Sequence, residues 1–347
     1  MGKYIIKRIG YMLVVTVILS FLLFLIYNLI PNNRAYTDAR AELTTLKTGL
    51  TEEQKNTLFD ELYKEYQIRY GTDTDSKVVR YLRWIGVSPL SNGEYNGLLQ
   101  GNLGYSYEAK DDVKNVVPPI MMNTVYYNIV VTILTLCITI PAGIFCAVKR
   151  GSRADRTMQV VTVLGYSLPT FLIAILFIWL FCSILGILPP SGMKTPGSDY
   201  TGMKKILDSL YYMTLPVIVG VFCSMGGMTR YVRASMIEAL SMDCIKTARA
   251  KGLREKVVIY SHAWRNALIP VVTLVVGWFL SIFSGSLMIE SMFGFNGMGK
   301  LMISSLRTAD FDVVILLQLF YVVLSLLGNL IIDIVYGLVD PRVRVNK

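Results

Sequence analysis

The amino-acid sequence predicts an all-α, polytopic membrane protein with six transmembrane helices and an extracytoplasmic segment between the first two. Hydrophobic residues make up 53% of the 347 residues and charged residues only 17%, and the mean hydropathy is +0.50. Several uncharged runs reach the length of about 20 residues that a helix needs to cross a bilayer. Lys and Arg are concentrated in the short segments that separate these runs, which is typical of cytoplasmic loops.

The first predicted span covers residues 9–33 and follows the basic residues Lys3, Lys7 and Arg8. The apolar run is long, and no small-residue cleavage site follows it, so a removable signal peptide is disfavoured. We therefore expect residues 1–33 to form an uncleaved transmembrane helix whose N-terminus is cytoplasmic.

Residues 34–118 form the one substantial polar segment, with acids and bases nearly in balance. We expect this segment to be extracytoplasmic. Thr51 and the two glutamates after it predict a helix N-terminus, and Leu58, Leu62 and Tyr66 give that helix an apolar stripe. The apolar cluster at 78–85 is expected to lie along the membrane surface.

The second span is expected within residues 120–148, and the basic residues of 149–156 after it predict a cytoplasmic loop. Residues 157–193 contain no charged residue, a run that is long for one crossing and short for two. Pro169 lies within it and is expected to kink a helix rather than end the span. We predict one long, bent span here, and two spans are the alternative.

The remaining spans are predicted at residues 209–229, 267–289 and 313–332, so that six crossings place both termini in the cytoplasm. The segment at 290–312 is predicted to be external. Between the fourth and fifth spans lies a basic loop, residues 230–266, which carries eight Lys or Arg residues against three acids. Two features within this loop predict a short amphipathic helix and a tight turn offered to the cytosol. Met242, Ile245 and Ala248 recur at helical spacing, and Gly252 follows where a helix is expected to end in a left-handed residue.

Two stretches of the basic loop resemble bacterial ABC-importer permeases of the oligopeptide/dipeptide/nickel branch: TARAKGL at 247–253 and HAWRNALIP at 262–270. The wider importer signature begins Glu-Ala-Ala, whereas Lys246 and Thr247 hold its first two places here, as is usual in the peptide branch. GNLGYS at 101–106 resembles a Gly-Asp-Leu-Gly-x-Ser signature, with Asn102 replacing Asp, which puts a charge-dependent role there in doubt. Asp340, Pro341 and Arg342 match the family's ending. The resemblance covers nearly the whole chain.

The resemblance implies the type I ABC importer permease fold, with residues 119–347 as the permease core. It implies a subunit that forms half of a translocation pathway for oligopeptides in the bacterial plasma membrane. The implied partners are a second permease subunit in a heterodimer, two cytoplasmic ATPase subunits and an extracytoplasmic solute-binding protein. The lipid bilayer is the implied environment of the permease subunits. This chain would then be no enzyme and hold no cofactor, because ATP and Mg would be bound by the partner ATPases.

The resemblance also implies two sets of functional residues. Coupling to the ATPase is expected at Met242, Asp243, Ile245, Lys246, Thr247, Ala248, Arg249, Ala250, Lys251, Gly252 and Leu253, of which Met242, Ile245 and Leu253 are expected to fill a groove of the ATPase. A translocation path is expected along Tyr166, Ser167, Pro169, Glu290, Phe293 and Asn296.

Rival interpretations have less support. A basic loop resting on anionic lipid needs charge but not this order of residues. An ion-coupled transporter would carry ionisable residues within its spans, and the third, fourth and fifth predicted spans have none. The net charge of +10 is explained by cytoplasmic loops, without nucleic acid as a partner. Residues 294–301 nearly spell a phosphate-binding loop, but Leu301 replaces the Ser or Thr that holds magnesium.

With one histidine and five scattered cysteines, we expect no metal site. The lone histidine and the absence of a carboxylate pair within a span also argue against an intramembrane protease or another membrane enzyme, because neither a nucleophile with its base nor an acid pair is present. Other cargo of this importer type, namely oligosaccharides, nickel complexes or opines, is left open.

Overall fold

The computed structural model describes residues 2–29, 34–45, 51–70, 72–74 and 76–339. These residues are mostly helical with almost no strand, which confirms the all-α prediction. The two strands, β1 (Tyr105–Ser106) and β2 (Asp111–Asp112), pair antiparallel with Tyr105 opposite Asp112. Asp340, Pro341 and Arg342 lie outside the described residues. The chain divides into two compact units, a first of residues 1–116 with 305–323 and a second of 117–304 with 324–347.

The helices in chain order are α1 (Gly2–Leu29), α2 (Arg34–Thr45), α3 (Glu52–Arg69), α4 (Lys77–Ile85), α5 (Val113–Val148), α6 (Arg153–Ser167), α7 (Thr170–Ile178), α8 (Gly202–Ser241), α9 (Asp243–Ala250), α10 (Glu255–Val257), α11 (Trp264–Ser281), α12 (Leu287–Met292), α13 (Met298–Arg307) and α14 (Phe311–Val339). A 3₁₀ turn covers Leu98–Gln100, and π-helices cover Trp179–Ile184 and Val258–Ala263. Within the described residues, five helical stretches are long and apolar enough to cross a membrane, and a bent helix pair brings the number to six.

The bent pair is the predicted third span. Its arms are Arg153–Ser167 and Thr170–Ile184, and the helix direction changes by 109° between them. The chain therefore turns much more sharply than at a proline kink. The residue before a proline is pushed out of the helical region, and Leu168 and Pro169 both have extended ψ values, 141° and 135°. With about 1.5 Å of rise per residue, neither arm alone reaches the roughly 30 Å of a bilayer core. The geometry therefore argues against two complete spans and leaves one broken span or a re-entrant loop.

The fifth predicted span, 267–289, was placed too far towards the C-terminus. Its helix ends at Ser281, and the chain is non-helical from Ile282 to Ser286. Asn128 of α5 donates hydrogen bonds from Nδ2 to the carbonyl oxygens of Ile282 (2.8 Å) and Ser284 (2.9 Å). Irregular backbone at membrane depth needs such partners, and hydropathy alone does not reveal them.

In the first unit, α4 packs against α1 through an aromatic face. Tyr81 is buried against Phe24, and its hydroxyl bonds Ser20 Oγ at 2.7 Å. The cluster predicted to lie along the membrane surface therefore uses one face to hold α1, while Val78 is exposed.

The hairpin of α2 and α3 begins its second helix as predicted, with Thr51 as the N-cap in a capping box with Gln54. Tyr66 of the predicted stripe donates a hydrogen bond to Glu42 of α2 at 2.7 Å. This hydrogen bond is the main cause that raises the pKa of Tyr66 to about 12.

The GNLGYS stretch, also in the first unit, binds the start of α14. The Ser106 hydroxyl donates to Asp310 at 2.6 Å, and the Tyr105 amide donates to Asp312 at 3.1 Å. A Cβ on Gly104 would lie 2.7 Å from Asp312 Cβ, so only glycine permits this approach. Asn102 accepts from the Gly104 amide and donates to Asn96. The side-chain amide of Asn102 therefore makes the hydrogen bonds of this turn at the position where the signature has Asp. These hydrogen bonds need no charge.

The core of the second unit surrounds α8. One buried cluster gathers Ile144, Met228, Val232, Met236, Ile245, Val258, Ala263 and Ala267, and a second gathers Tyr127, Ile173, Leu215, Val219, Phe293 and Phe295. Helix α8 contributes to both clusters, and its C-terminal end leads directly into α9.

Candidate functional site

The predicted short helix is α9, which α8 reaches through a single extended residue, Met242, with ψ of 148°. The helix ends in a complete Schellman motif. The Gly252 amide donates to the Arg249 carbonyl at 2.9 Å, and the Leu253 amide donates to the Ala248 carbonyl at 3.4 Å. Gly252 has φ of +76°, so the left-handed end predicted from the sequence is confirmed.

The two faces of α9 have different surroundings. Ile245 is 0% exposed, and Ala248 is buried beside it in the cluster that contains Met236 of α8 and Val258. Our expectation that Ile245 fills a partner's groove is therefore wrong, because its side chain is covered by this chain's own core. Met242 and Leu253 are 39% and 40% exposed. The exposed face of α9 and its turn consists of Met242, Asp243, Cys244, Lys246, Thr247, Arg249, Ala250, Lys251, Gly252 and Leu253.

Charged side chains on this exposed face pair with one another. Lys246 contacts Asp243 at 2.8 Å, and Arg249 reaches across the turn to Glu255 at 2.6 Å. Because its charged form donates hydrogen bonds to Glu255, the pKa of Arg249 is raised. The second pair spans the turn that contains Gly252.

A π-helix at Val258–Ala263 supports α9, and nothing in the sequence pattern predicted it. Val258, Ile259 and Ala263 are buried in the cluster that also covers Ile245. Short π-helical segments are frequent at functional sites. The lone histidine, His262, lies in this segment and is exposed, and its carbonyl accepts a hydrogen bond from Asn266 at 3.0 Å.

The residues predicted along a translocation path divide into two groups. Tyr166 is 64% exposed, and Ser167, Pro169 and Asn296 are exposed as well. Glu290 and Phe293 are each only 1% exposed. The side chains of these two residues therefore point into the protein and line no exposed surface in this structure.

Glu290 instead organises the turn that follows α12. Its carboxylate accepts hydrogen bonds from the amides of Ser286 (3.0 Å) and Lys300 (2.6 Å). A Cβ on Gly297 would lie 2.4 Å from Glu290 Cδ, and one on Gly285 would lie 2.0 Å from the Gly299 nitrogen. Of the two glycines that nearly spell a phosphate-binding loop, Gly299 serves close packing, because its Cβ would lie 2.6 Å from the Leu287 nitrogen, whereas Gly294 provides a backbone with φ of +67°. Helix α12 precedes them where such a loop requires a strand.

A cavity of about 810 Å³ lies in the first unit. Its wall includes Arg83, Trp84, Lys114 and Asp312. Arg83 is paired with Asp73 at 2.6 Å and Lys114 with Asp112 at 3.0 Å. The positive charges of these two residues in the cavity wall are therefore balanced within the chain. No group of three or more His, Cys, Asp or Glu side chains in the described part of the chain could hold a metal ion.

Comparison with known proteins gives consistent matches. The family described as "Binding-protein-dependent transport system inner membrane component" matches residues 139–345. The oligopeptide transport system permease protein AppB of Bacillus subtilis is 34% identical over 277 residues, which cover 80% of this chain and 83% of AppB. The oligopeptide transport system permease protein OppB of Haemophilus influenzae is 30% identical over 345 residues, which cover 99% of this chain and 100% of OppB. The dipeptide transport system permease protein DppB of Escherichia coli K12 is 32% identical over 268 residues, covering 72% of this chain and 79% of DppB.

Proposed function

Because this chain belongs to the family of binding-protein-dependent transport system inner membrane components, we propose that it forms half of an oligopeptide pathway in an ATP-driven importer. The relatives named above are permeases of oligopeptide and dipeptide transport systems, which supports peptides as the cargo. The chain is a membrane component of the importer, and the hydrolysis of ATP belongs to partner subunits that bind ATP and Mg.

One observation carries the coupling assignment. Helix α9 buries Ile245 and Ala248 in the core of the second unit and exposes its other side beside a turn closed by a Schellman motif. One face of α9 is embedded in the core, and the opposite face is polar and exposed. A partner that displaces the exposed face therefore also displaces the spans that share this core. We assign Met242 and Leu253 to the partner's groove, in place of Ile245, because they flank the exposed face.

The proposed assembly has a second, different permease subunit, two ATPases and an external solute-binding protein. Closure of the ATPases around ATP displaces residues 241–256. Because Ile245, Met236 and Val258 share one buried cluster, this displacement moves the end of α8 and the start of the fifth span together. The spans then change from an inward-facing to an outward-facing arrangement.

The orientation of the chain is tested by labelling. In a variant whose five cysteines are replaced, we expect a single cysteine at Asn56 or Lys204 to react with an impermeant maleimide from outside intact cells. A cysteine at Arg153 or Arg254 should react only after the membrane is opened. All four positions are exposed in the structure, so burial would not account for a failure to react. The reverse pattern would overturn the proposal that both termini are cytoplasmic.

The cargo is tested by uptake. Proteoliposomes that contain the intact importer, loaded with ATP, are expected to accumulate a labelled oligopeptide in the presence of the binding protein. Without ATP or without the binding protein, uptake should fall to the level of empty liposomes. Accumulation of an oligosaccharide, a nickel complex or an opine in place of the peptide would reassign the cargo and leave the importer class standing. A purified chain that transports peptides without any ATPase would contradict the proposal itself.

A further inference from the structure

Asp155 and Arg233 form an ion pair inside the second unit, 78 residues apart in the sequence. Arg233 donates from Nε to Asp155 Oδ1 at 2.7 Å and from its terminal NH2 to Oδ2 at 2.9 Å. The Asp155 side chain is 1% exposed and that of Arg233 is 20% exposed. A two-pronged contact of this kind fixes distance and orientation together.

The carboxylate of Asp155 has two further donors, the Gly151 amide at 2.9 Å and Gln159 Nε2 at 3.0 Å. Together with the two bonds from Arg233, these use all four acceptor positions of a carboxylate. Asp155 is thus fixed to the first turn of α6, where Ser152 is the N-cap, and Arg233 joins that turn to α8.

Farther along the same two helices, their backbones touch. A Cβ on Gly165 of α6 would lie 2.5 Å from the Phe222 carbonyl oxygen, and one on Gly226 of α8 would lie 2.3 Å from the Thr162 carbonyl oxygen. The helices are therefore held at two places, a close crossing and an ion pair nearer to α9. Two separate points of attachment prevent one helix from pivoting against the other.

We propose that the Asp155–Arg233 pair is a positioning device that makes α6 move with α8 when α9 is displaced. This inference rests on the proposed function of α9. Arg233 lies about two turns before α8 ends at Ser241, next to the junction that receives the displacement. Through the pair, the movement reaches α6 and, beyond the bend at Pro169, the second arm of the bent helix pair.

Stability alone is a weak reason for such a pair, because apolar replacements of buried ion pairs are often as stable as the pair itself. This contrast provides the test. Asp155→Asn alone or Arg233→Met alone leaves a charge without its partner, and each is expected to reduce the amount of assembled importer. The double variant Asp155→Asn/Arg233→Met removes both charges and is expected to recover assembly. A purely structural pair would then recover transport as well.

We expect the double variant to hydrolyse ATP but to import at least about fivefold less peptide per ATP, the lower end of typical coupling between sites. Arg233→Lys keeps the charge but loses the two-pronged contact, so it should give an intermediate ratio. The matched control is Glu52→Gln, which removes an exposed pair with Lys55 in α3 and should leave the ratio unchanged. If the double variant imports as much peptide per ATP as the parent, the proposal is overturned. If the double variant fails to assemble, the same result for Arg233→Lys would overturn it.

A second measurement does not depend on transport. Spin labels on cysteines that replace Arg156 of α6 and Glu238 of α8, both exposed, report the distance between the two helices. In the parent importer we expect one narrow distribution, the same in the resting and the ATP-bound states. In the double variant the distribution should broaden or differ between the states. A distance that already changes in the parent would show that α6 and α8 move separately, and the role of α9 would be unaffected by that result.

Discussion

Gly252→Val is expected to leave the importer assembled and inserted while peptide uptake falls at least about tenfold, the factor that corresponds to about 1.4 kcal/mol of lost interaction. Gly252 has φ of +76°, and no atom within 4 Å would meet an added Cβ. The added Cβ therefore meets open space inside the chain. The conformational cost of a left-handed valine, roughly 1–2 kcal/mol, affects the turn alone. The valine side chain would then sterically hinder a partner that docks at this turn.

Two controls separate the conformation of the turn from its contact with a partner. Asn tolerates the left-handed region far better than Val, so Gly252→Asn should preserve the turn and still impair uptake if bulk is what matters. Gly93→Val is the matched control, because Gly93 also has positive φ, +84°, and open space around its Cβ. It lies far from α9 in sequence, and its uptake should resemble that of the parent.

The measurements are peptide uptake and the stimulation of ATP hydrolysis by the loaded binding protein, compared at equal amounts of assembled complex. If Gly252→Val imports normally, α9 is not the coupling element. If its sole defect is a loss of protein from the membrane, the turn serves folding rather than coupling. In either case a basic loop resting on lipid would explain residues 230–266 better.

Glu290→Ala is expected to lower the stability of the chain by about 2–6 kcal/mol, because two partly buried backbone amides lose their acceptor at roughly 1–3 kcal/mol each. The amides are those of Ser286 and Lys300. Glu290→Gln keeps the shape of the side chain but offers one acceptor oxygen in place of two. It should therefore lie between the parent and the alanine variant.

Thermal unfolding of the purified protein, followed by tryptophan fluorescence, gives the order of the three proteins. Glu238→Ala is the matched control, since it removes the same chemical group from an exposed position on α8 and should unfold like the parent. An alanine variant at position 290 that unfolds at the parent's temperature would contradict the structural role. If that stable variant also failed in uptake, Glu290 would act in transport directly.

Local features of the chain were predictable from the sequence because their causes are local. The helix start at Thr51 depends on residues within one turn, and the left-handed end of α9 depends on one glycine placed after an apolar periodicity. The uncharged runs likewise depend only on their own composition, so their number was predictable within the ambiguity of the bent third span. Their ends were less accurate, because α8 continues through charged residues to Ser241 and α11 ends at Ser281 inside an apolar run.

The sequence by itself determined that this chain is a helical membrane protein of the permease family, with a short amphipathic helix followed by a left-handed Gly252. Only the tertiary structure decided that Ile245 and Glu290 are buried, that Asp155 meets Arg233, and that the third span turns by 109°. The physical reason is that lipid is as apolar as a protein core. Hydropathy therefore marks an apolar face without showing whether lipid, a partner or the chain's own helices cover it, and pairing between distant residues becomes visible only when those helices are packed.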